Sequence, residues 1–555
     1  MEQPLHKIES LVREAILAAQ DAGDVPSFDL PQVVVEHPQR EQHGDYATTV
    51  ALQLATVASI PPRRIAEAIV SHIPAAEFIA KVEVAGPGFV NFTLHDNWLI
   101  RQVDEILAAG ESYGDVPLGQ DRKVQVEYVS ANPTGPLHVG SGRNAVIGDS
   151  LANVLEAAGY DVQREYYVND AGTQMRLFAE TLYARYAQAF GHDEPIPENG
   201  YRGAYLIEIG NEVARQQGER FLNMSREEAV AALYEIGLEK MLASINDDLG
   251  MMGIAYDRWF SERSVYDSGL FDHVLAVLRE KGHIAEREGA VWFVSSGLGD
   301  DKDNVLIRSD GEPGYLASDI AYHYDKFIQR GFDQVIDVWG ADHQGHVPRM
   351  KAAMRAIGVN PNNLVLIVYQ LVTLKRGGEV VRLSKRSGDI ITLREVLEEI
   401  GPDAVRFLLL ARAADSQMEL DLDLAKEQSS ENPVYYVQYA HARIASILRY
   451  AEGIDFSDGD VSLLGHAAEL ALIRQMLRFP EVVEQAASSL SPHYLPYYAQ
   501  ELAGAFHPFY KQCRVVSSIP EDMPLNKARL KLAAAARIVL ASVLGLMGVS
   551  APEAM

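Results

Sequence analysis

One stretch, residues 123–159, constrains the fold of this 555-residue chain more than any other. The apolar residues Val124, Val126, Tyr128 and Val129 predict a buried strand over 123–129. Two prolines and a glycine within 133–136 end that strand, so the chain must turn. From Ala145 onward, apolar residues recur at helical spacing. A strand that enters a helix through such a turn directs free backbone N–H groups and the positive end of the helix dipole at one point. That point favours an anion such as a nucleotide phosphate.

The turn carries His138 and lacks the Gly-x-x-x-x-Gly-Lys pattern of a P-loop. A single His-x-Gly is more often a solvated surface turn, because short motifs have many false positives. The hypothesis of a phosphate site therefore depends on the rest of the chain.

The bulk properties restrict the class of protein. The length predicts three to five domains. There is no apolar run of about 18 residues and no signal-peptide pattern at the N-terminus, so we expect neither a membrane span nor secretion. The one cysteine, Cys513, excludes a disulfide within the chain and a thiolate-rich zinc site, and a cytoplasmic location fits. A net charge of −28 argues against nonspecific nucleic-acid binding, but RNA read by shape stays open.

The first part of the chain is predicted to be a separate α/β module, residues 1–110. Helices are expected at 5–22 and 44–55, and two short strands within 82–94. Turn residues indicate a linker at about 110–120.

The middle of the chain alternates strands and helices, which predicts a doubly wound parallel sheet over 121–375. A mostly helical insertion, about 172–300, interrupts it. The second half is expected to resume with strand 304–308 and to end in one long strand, 364–374. From residue 392 only helices are expected, as a bundle.

A second informative stretch, 377–388, combines glycines with the cations Arg382, Lys385 and Arg386. A mobile cationic loop suits catalysis in which negative charge builds up on a leaving pyrophosphate. A solvated basic hairpin is the alternative.

Two further groups of polar residues follow predicted elements. Asp342 and His343 come after strand 334–339, at the strand end where open α/β sheets bind ligands. Tyr315 and Asp319 are four residues apart, so they share one face of a helix, and a carboxylate there suits a guanidinium. A packed histidine and a plain surface pair are the respective alternatives.

Taken together, these patterns resemble the signature sequences of class I aminoacyl-tRNA synthetases, and within that class the bacterial-type arginyl-tRNA synthetases. The resemblance covers essentially the whole chain. The matching segments are 130–140 (SANPTGPLHVG), 166–174 (YYVNDAGTQ), 315–319 (YLASD), 382–386 (RLSKR) and 432–443 (NPVYYVQYAHAR), with 44–47 (GDYA) and 86–92 (GPGFVNF) in the first module.

The resemblance implies a two-step reaction. Arginine attacks the α-phosphorus of MgATP to give arginyl-adenylate, and the terminal ribose of tRNA(Arg) then takes the arginyl group. It implies an α/β fold with a split, Rossmann-like catalytic domain at 121–375. It also implies a first module that touches the tRNA elbow, a stem-contact region at 376–430 and a helical anticodon-binding domain at 431–555. No structural metal, no DNA and no membrane are expected, tRNA is needed for adenylate formation, and a monomer is expected.

Residue roles follow from the resemblance. For ATP and catalysis it implies His138, Gly140, Ser141, Lys385 and Arg386, the last two on the departing pyrophosphate. For arginine it implies Glu127, Asn132, Tyr315, Asp319, Asp342 and His343, with Tyr315 and Asp319 on the guanidinium.

The chain departs from the family pattern at two positions. Ser141 stands where the first signature ordinarily ends in a second histidine, and a serine hydroxyl cannot carry a positive charge. The start of the helix or Arg143 is expected to compensate. Leu383 stands where methionine is common, which nearly conserves volume.

Three alternatives remain. A non-catalytic paralogue that binds arginine or tRNA would account for Ser141. A synthetase for another amino acid is less suited, since a cysteinyl enzyme needs thiolate zinc ligands and a glutamyl enzyme a cationic pocket. A smaller nucleotidyltransferase would leave the bundle without a role.

Overall fold

The first region of the chain is built on an antiparallel sheet. The computed structural model describes residues 3–381 and 391–555. The first elements are α1 (Pro4–Asp21), β1 (Val35–Glu36), β2 (Tyr46–Thr48), α2 (Val50–Ala58), α3 (Pro62–His72), β3 (Ile79–Ala85), β4 (Phe89–Leu94) and α4 (Asp96–Ala109). The strand order is β1-β2-β4-β3. The helix predicted over 44–55 begins only at Val50, because the residues before it pair with β4 as strand β2.

The middle region contains a parallel sheet. Its elements are β5 (Lys123–Glu127), α5 (Val139–Ala157), β6 (Asp161–Val168), α6 (Thr173–Ala189), α7 (Ala204–Gln217), α8 (Arg226–Met251), β7 (Arg258–Ser261), α9 (Arg263–Asp267), α10 (Leu270–Glu280), β8 (Ile284–Arg287), β9 (Ala290–Phe293), β10 (Asn304–Ile307), α11 (Tyr315–Tyr324), β11 (Gln334–Gly340), α12 (Val347–Ile357) and β12 (Leu364–Tyr369). The parallel order is β12-β11-β5-β6-β7. The predicted α/β class with a parallel sheet is confirmed.

Helix α5 lies closely against the central strand. Most of its residues are buried, from Val139 to Leu155. A Cβ atom added at Gly148 would lie 2.2 Å from Cγ of Tyr128, so only glycine permits this approach. This contact fixes the start of the helix relative to the end of β5.

Two predicted strands differ from the observed ones. Residues 304–308 do not resume the parallel sheet, since β10 pairs antiparallel with β9 in the order β10-β9-β8. The parallel sheet continues instead with β7, which lies inside the range 172–300, and then with β11. The long strand predicted over 364–374 is divided, because the backbone N–H of Gln370 donates to the carbonyl of Ala414 and the chain changes sheets there.

The last region is mostly helical. Its elements are β13 (Val372–Arg376), β14 (Glu379–Val380), α13 (Leu393–Ile400), α14 (Pro402–Leu410), β15 (Met418–Asp421), α15 (Leu422–Lys426), α16 (Pro433–Tyr450), α17 (Ala467–Leu477), α18 (Phe479–Ser488), α19 (Tyr494–Gln512) and α20 (Met523–Leu546). The prediction of helices alone after residue 392 is wrong at β15, which pairs parallel with β13.

The two ends of the chain pack against each other. Glu481 on α18 accepts a hydrogen bond from Tyr46 Oη at 2.7 Å and lies 2.6 Å from Nε2 of His37. Arg474 on α17 pairs with Asp45 at 2.6 Å. In residues 3–381 and 391–555, no helix has the length and apolar character that crossing a membrane requires.

Candidate active site

The turn after β5 is strained. Val129 and Ser130 have φ angles of 67° and 40°, a region that L-residues with side chains rarely adopt. Such conformations cost about 1–3 kcal/mol each and persist only where the surroundings impose them. Here the backbone N–H of Val129 donates to Asn144 Oδ1 at 2.7 Å, and Tyr256 Oη donates to the carbonyl of Tyr128 at 3.1 Å. The turn is therefore held by groups from α5 and from the segment before β7.

His138 caps the N-terminus of α5. Its Nδ1 accepts a hydrogen bond from the backbone N–H of Ser141 at 3.2 Å, so the proton of the neutral ring lies on Nε2. A Cβ atom at Gly140 would lie 2.9 Å from Cε1 of His138. A side chain at this position would therefore force the histidine ring to move. The arrangement places an imidazole N–H donor at the positive end of a 19-residue helix.

The structure does not give Arg143 the compensating role that the sequence suggested. Its side chain is fully buried and donates to the carbonyls of Gln370 and Ala413 at 2.7 and 2.8 Å. Ser141 is also buried, and its backbone N–H is bound to His138. Arg143 therefore ties α5 to the chain around β13 and does not face a phosphate.

The second signature lies outside the described residues. Arg382, Leu383, Lys385 and Arg386 fall in the range 382–390. The chain that follows is bound to the residues just before α5. The backbone N–H of Leu393 donates to the carbonyl of Leu137 at 2.7 Å, and Thr392 forms a β-bridge with His138. Residues Thr392 and Leu393, shortly after that range, therefore lie beside the first signature.

Glu127, at the carboxyl end of β5, belongs to a buried charge cluster. Its Oε2 accepts from Lys326 Nζ at 2.6 Å, and its Oε1 accepts from Ser130 Oγ at 2.9 Å. Lys326 Nζ also donates to Asp337 at 3.0 Å, and Nε2 of His323 lies 2.9 Å from the other oxygen of Asp337. Burial raises the pKa of Glu127, whereas Lys326 acts to lower it.

Lys326, His323 and Asp337 were not identified from the sequence. Asp337 offered a signal, because it is a carboxylate between the apolar residues Val335, Ile336, Val338 and Trp339 of strand β11. Lys326 offered none, since it lies in the turn of π-helix at Asp325–Gln329, which shifts the helical spacing.

Asp319 is partly buried on α11 near Glu127. Burial raises its pKa to about 7, and the charges of Glu262, Glu127 and Asp337 act in the same direction, against His323. Within the described part of the chain, its carboxylate has no side-chain hydrogen bond or ion pair. Asp319 is therefore a carboxylate in an acidic, partly dehydrated setting, which a guanidinium would complement.

The remaining predicted arginine-binding residues are more exposed. Tyr315 is 58% exposed at the start of α11, so it shares a helix with Asp319 but not its burial. The Asn132 Oδ1 accepts from Asn169 at 2.8 Å. Asp342 and His343 follow β11 and lie 3.7 Å apart, with side chains 82% and 55% exposed. Glu127 and Asp319 are thus close enough for their charges to influence each other, whereas Tyr315, Asn132, Asp342 and His343 have no side-chain hydrogen bond or ion pair with either of them among the described residues.

Helices α16 and α19 carry aromatic rings with a cation. Tyr435 and Tyr439 stack at 5.9 Å between ring centroids. The guanidinium of Arg443 lies 5.0 Å from the ring centroids of both Tyr439 and Tyr510. Partly exposed rings beside arginine are typical of surfaces that bind unstacked bases. In residues 3–381 and 391–555, no group of three histidine, cysteine or carboxylate side chains is placed to hold a metal ion.

The chain matches three family models. These are "tRNA synthetases class I (R), catalytic domain" over residues 102–444, "DALR anticodon binding domain" over 437–555 and "Arginyl tRNA synthetase N terminal domain" over 6–94. It is 53% identical over 550 residues to an "Arginine--tRNA ligase" of Dehalococcoides mccartyi, covering 99% of this chain and 98% of that one. A ligase of the same name from Geobacillus thermodenitrificans is 48% identical, with 99% of each covered. The arginyl-tRNA synthetase structure of Thermus thermophilus superposes with a TM-score of 0.78 at 25% identity, covering both chains fully.

Proposed function

The chain belongs to the arginyl-tRNA synthetases, class I ligases that use ATP to join L-arginine to tRNA(Arg), and from this premise we propose which residues carry the reaction. The reaction activates arginine as arginyl-adenylate and transfers it to the terminal ribose of the tRNA, releasing pyrophosphate and AMP. The relatives give no support to the non-catalytic alternative.

The phosphates of ATP, taken as its Mg²⁺ complex, bind at the start of α5. There the Nε2–H of His138 and the positive end of the helix dipole stabilise the charge that develops on the triphosphate. Gly140 keeps the backbone open beside the histidine ring. Ser141 contributes chiefly through its backbone, which fixes His138. Lys385 and Arg386 act on the departing pyrophosphate.

Arginine binds between β5 and α11. Asp319 receives the guanidinium, and Glu127 adds a second carboxylate at the floor of the pocket. Tyr315 covers the side chain from the outer end of α11. Asn132, Asp342 and His343 line the outer edge, where the α-amino and carboxylate groups of the substrate lie. The observation that carries this assignment is the Asp319 carboxylate beside buried Glu127, with no protein cation bound to it among the described residues.

The tRNA contacts both ends of the chain. Region 431–555 includes the stacked rings of Tyr435 and Tyr439 with Arg443, and it binds the anticodon loop through its unpaired bases. Region 376–430 contacts the stem, and module 1–110 contacts the elbow. The proposal also takes residues 121–375 as the catalytic domain and residues 172–300 as the mostly helical insertion within it. The enzyme acts as a monomer in the cytoplasm and needs no DNA, membrane or structural metal.

ATP–pyrophosphate exchange with each amino acid, with and without tRNA(Arg), tests the proposal. Exchange is expected only with arginine and tRNA together. The Asp319→Asn variant should keep the folded structure and the ATP requirement, while the arginine KM rises steeply. An unchanged arginine KM would show that Asp319 does not bind arginine. Exchange without tRNA would show that adenylate formation does not require tRNA.

A further inference from the structure

The charge cluster around Glu127 contains a cation to which the proposed reaction assigns no role. Lys326 is fully buried in the π-helical turn after α11, and its ammonium lies 4.0 Å from the ring centroid of Tyr322. Burying a charge is costly unless partners and hydrogen bonds compensate. Its partners are Glu127 on β5 and Asp337 on β11. One cation therefore joins two neighbouring strands of the sheet to the helix that carries Asp319.

We propose that Lys326 is a positioning residue for arginine recognition, which keeps the Glu127 carboxylate ionised and oriented towards the pocket. This inference rests on the proposed placement of arginine between Glu127 and Asp319. Lys326 itself is fully buried, so it acts on the substrate only through Glu127.

The geometry supports an orienting role. Lys326 holds one oxygen of Glu127 at 2.6 Å, and Ser130 holds the other at 2.9 Å. Ser130 Oγ also accepts from the backbone N–H of Tyr167 at 3.0 Å, so its hydroxyl proton is directed to Glu127. The carboxylate is thus fixed from two sides, by a lysine on one element and by the strained turn on another.

The charges around Glu127 explain why a cation is needed. Asp337 from β11 repels the carboxylate, and Asp319 adds negative charge from α11. On the attractive side stand Lys326 and His323, the latter bound to Asp337 and to the carbonyl of Asp319. Burial alone lowers the pKa of Lys326, but Asp337 and Glu127 raise it above its ordinary value, so the ammonium stays charged. Without Lys326, burial and Asp337 would both favour a protonated Glu127.

A neighbouring ion pair offers a matched control. Glu165 on β6 lies beside Glu127 in register and is bound by Arg330 at 2.5 and 2.9 Å. Arg330 also pairs with Asp325 at 2.8 Å and does not contact Glu127. Removal of Arg330 therefore takes a cation from the same buried layer without releasing Glu127.

The test uses the full-length enzyme with MgATP and tRNA(Arg). The arginine KM in pyrophosphate exchange is measured from pH 5.5 to 8.5 for Lys326→Met and Arg330→Met. At pH 7, Lys326→Met should raise the arginine KM about tenfold, because the variant lacks the cation that keeps Glu127 ionised, and a protonated Glu127 no longer attracts a guanidinium. The rise should diminish at high pH, while the KM for ATP stays constant. Arg330→Met should leave the arginine KM within about twofold.

A double-substitution cycle separates this role from a structural one. In a Glu127→Gln background, Lys326→Met should add no further change to the arginine pH profile. The inference is overturned if Lys326→Met changes the arginine pH profile in the Glu127→Gln background as much as in the wild type. It is also overturned if Arg330→Met raises the arginine KM as much as Lys326→Met does, or if Lys326→Met leaves the arginine KM unaltered. If Lys326→Met does not fold, the Asp337→Asn variant provides the test. In it the charge of Lys326 is no longer shared with Asp337 and acts on Glu127 alone, so the pH dependence of the arginine KM should move to lower pH. No movement, or movement to higher pH, contradicts the inference. Wild-type exchange that does not depend on arginine would instead reject the proposed function.

Discussion

The proposed ATP site at the start of α5 and the proposed arginine site between β5 and α11 are built differently. The ATP site uses a helix N-terminus, backbone N–H groups and the neutral ring of His138. The arginine site uses side-chain charges, with partly buried Asp319 near Glu127, whose carboxylate is bound by Lys326. Backbone dipoles do not titrate, whereas buried carboxylates do. Arginine recognition should therefore respond to the removal of a single side-chain charge more strongly than ATP binding does, and its pH dependence should come from Asp319.

The largest expected effect comes from Asp319→Asn. The change keeps the shape of the side chain and removes its charge, so the guanidinium loses its ionic partner in a partly dehydrated setting. Loss of such a pair costs about 2–5 kcal/mol, which corresponds to at least about 30-fold in the arginine KM. Steady-state exchange at saturating ATP and tRNA measures it. A KM for ATP that rises equally would show that the two sites are not separate.

The pH dependence of arginine binding follows next. Burial raises the pKa of Asp319 to about 7, so the carboxylate is ionised above that pH and protonated below it. A guanidinium needs the ionised form, and affinity is therefore full at high pH and is lost as pH falls. The arginine KM should rise up to about tenfold for each pH unit below 7. In Asp319→Asn this dependence should largely disappear, and a wild-type profile that is flat from pH 5.5 to 8.5 contradicts it.

A substitution among the proposed tRNA-binding rings of α16 should have an intermediate effect, and it should not change the KM for ATP or arginine. Tyr439→Ala removes a ring that stacks on Tyr435 and lies beneath Arg443. Stacking of a base contributes about 1–3 kcal/mol, so the KM for tRNA should rise about tenfold. Tyr450→Ala is the control, since Tyr450 ends the same helix and is 80% exposed. Equal losses in the two variants would show a general effect on α16.

The sequence predicts the local structure around His138 better than the charge cluster around Glu127. The strand, turn and helix around His138 are local, and their residues appear in order along the chain. The cluster around Glu127 joins residues about 200 positions apart, which only the strand order β11-β5-β6 brings together. The sequence does not reveal Lys326, because a π-helical turn breaks the regular helical spacing of residues. It also does not predict the position of β10, because an apolar pattern does not specify which sheet a strand joins. The sequence also cannot show that the carbonyls of Gln370 and Ala413 bind Arg143 and keep it from a phosphate.

The smallest effect on rate is expected from Ser141→His, which restores the ordinary signature. Ser141 is buried, and its contribution is a backbone N–H bound to Nδ1 of His138. That donor is present with any residue, so kcat should not increase. The larger ring must instead displace its neighbours, and overpacking of a buried position costs about 1–3 kcal/mol of stability. Thermal melting should therefore show a lower Tm while single-turnover adenylate formation stays within a few-fold. A large rise in kcat would mean that the ATP site lacks a cation, and that backbone and dipole do not suffice there.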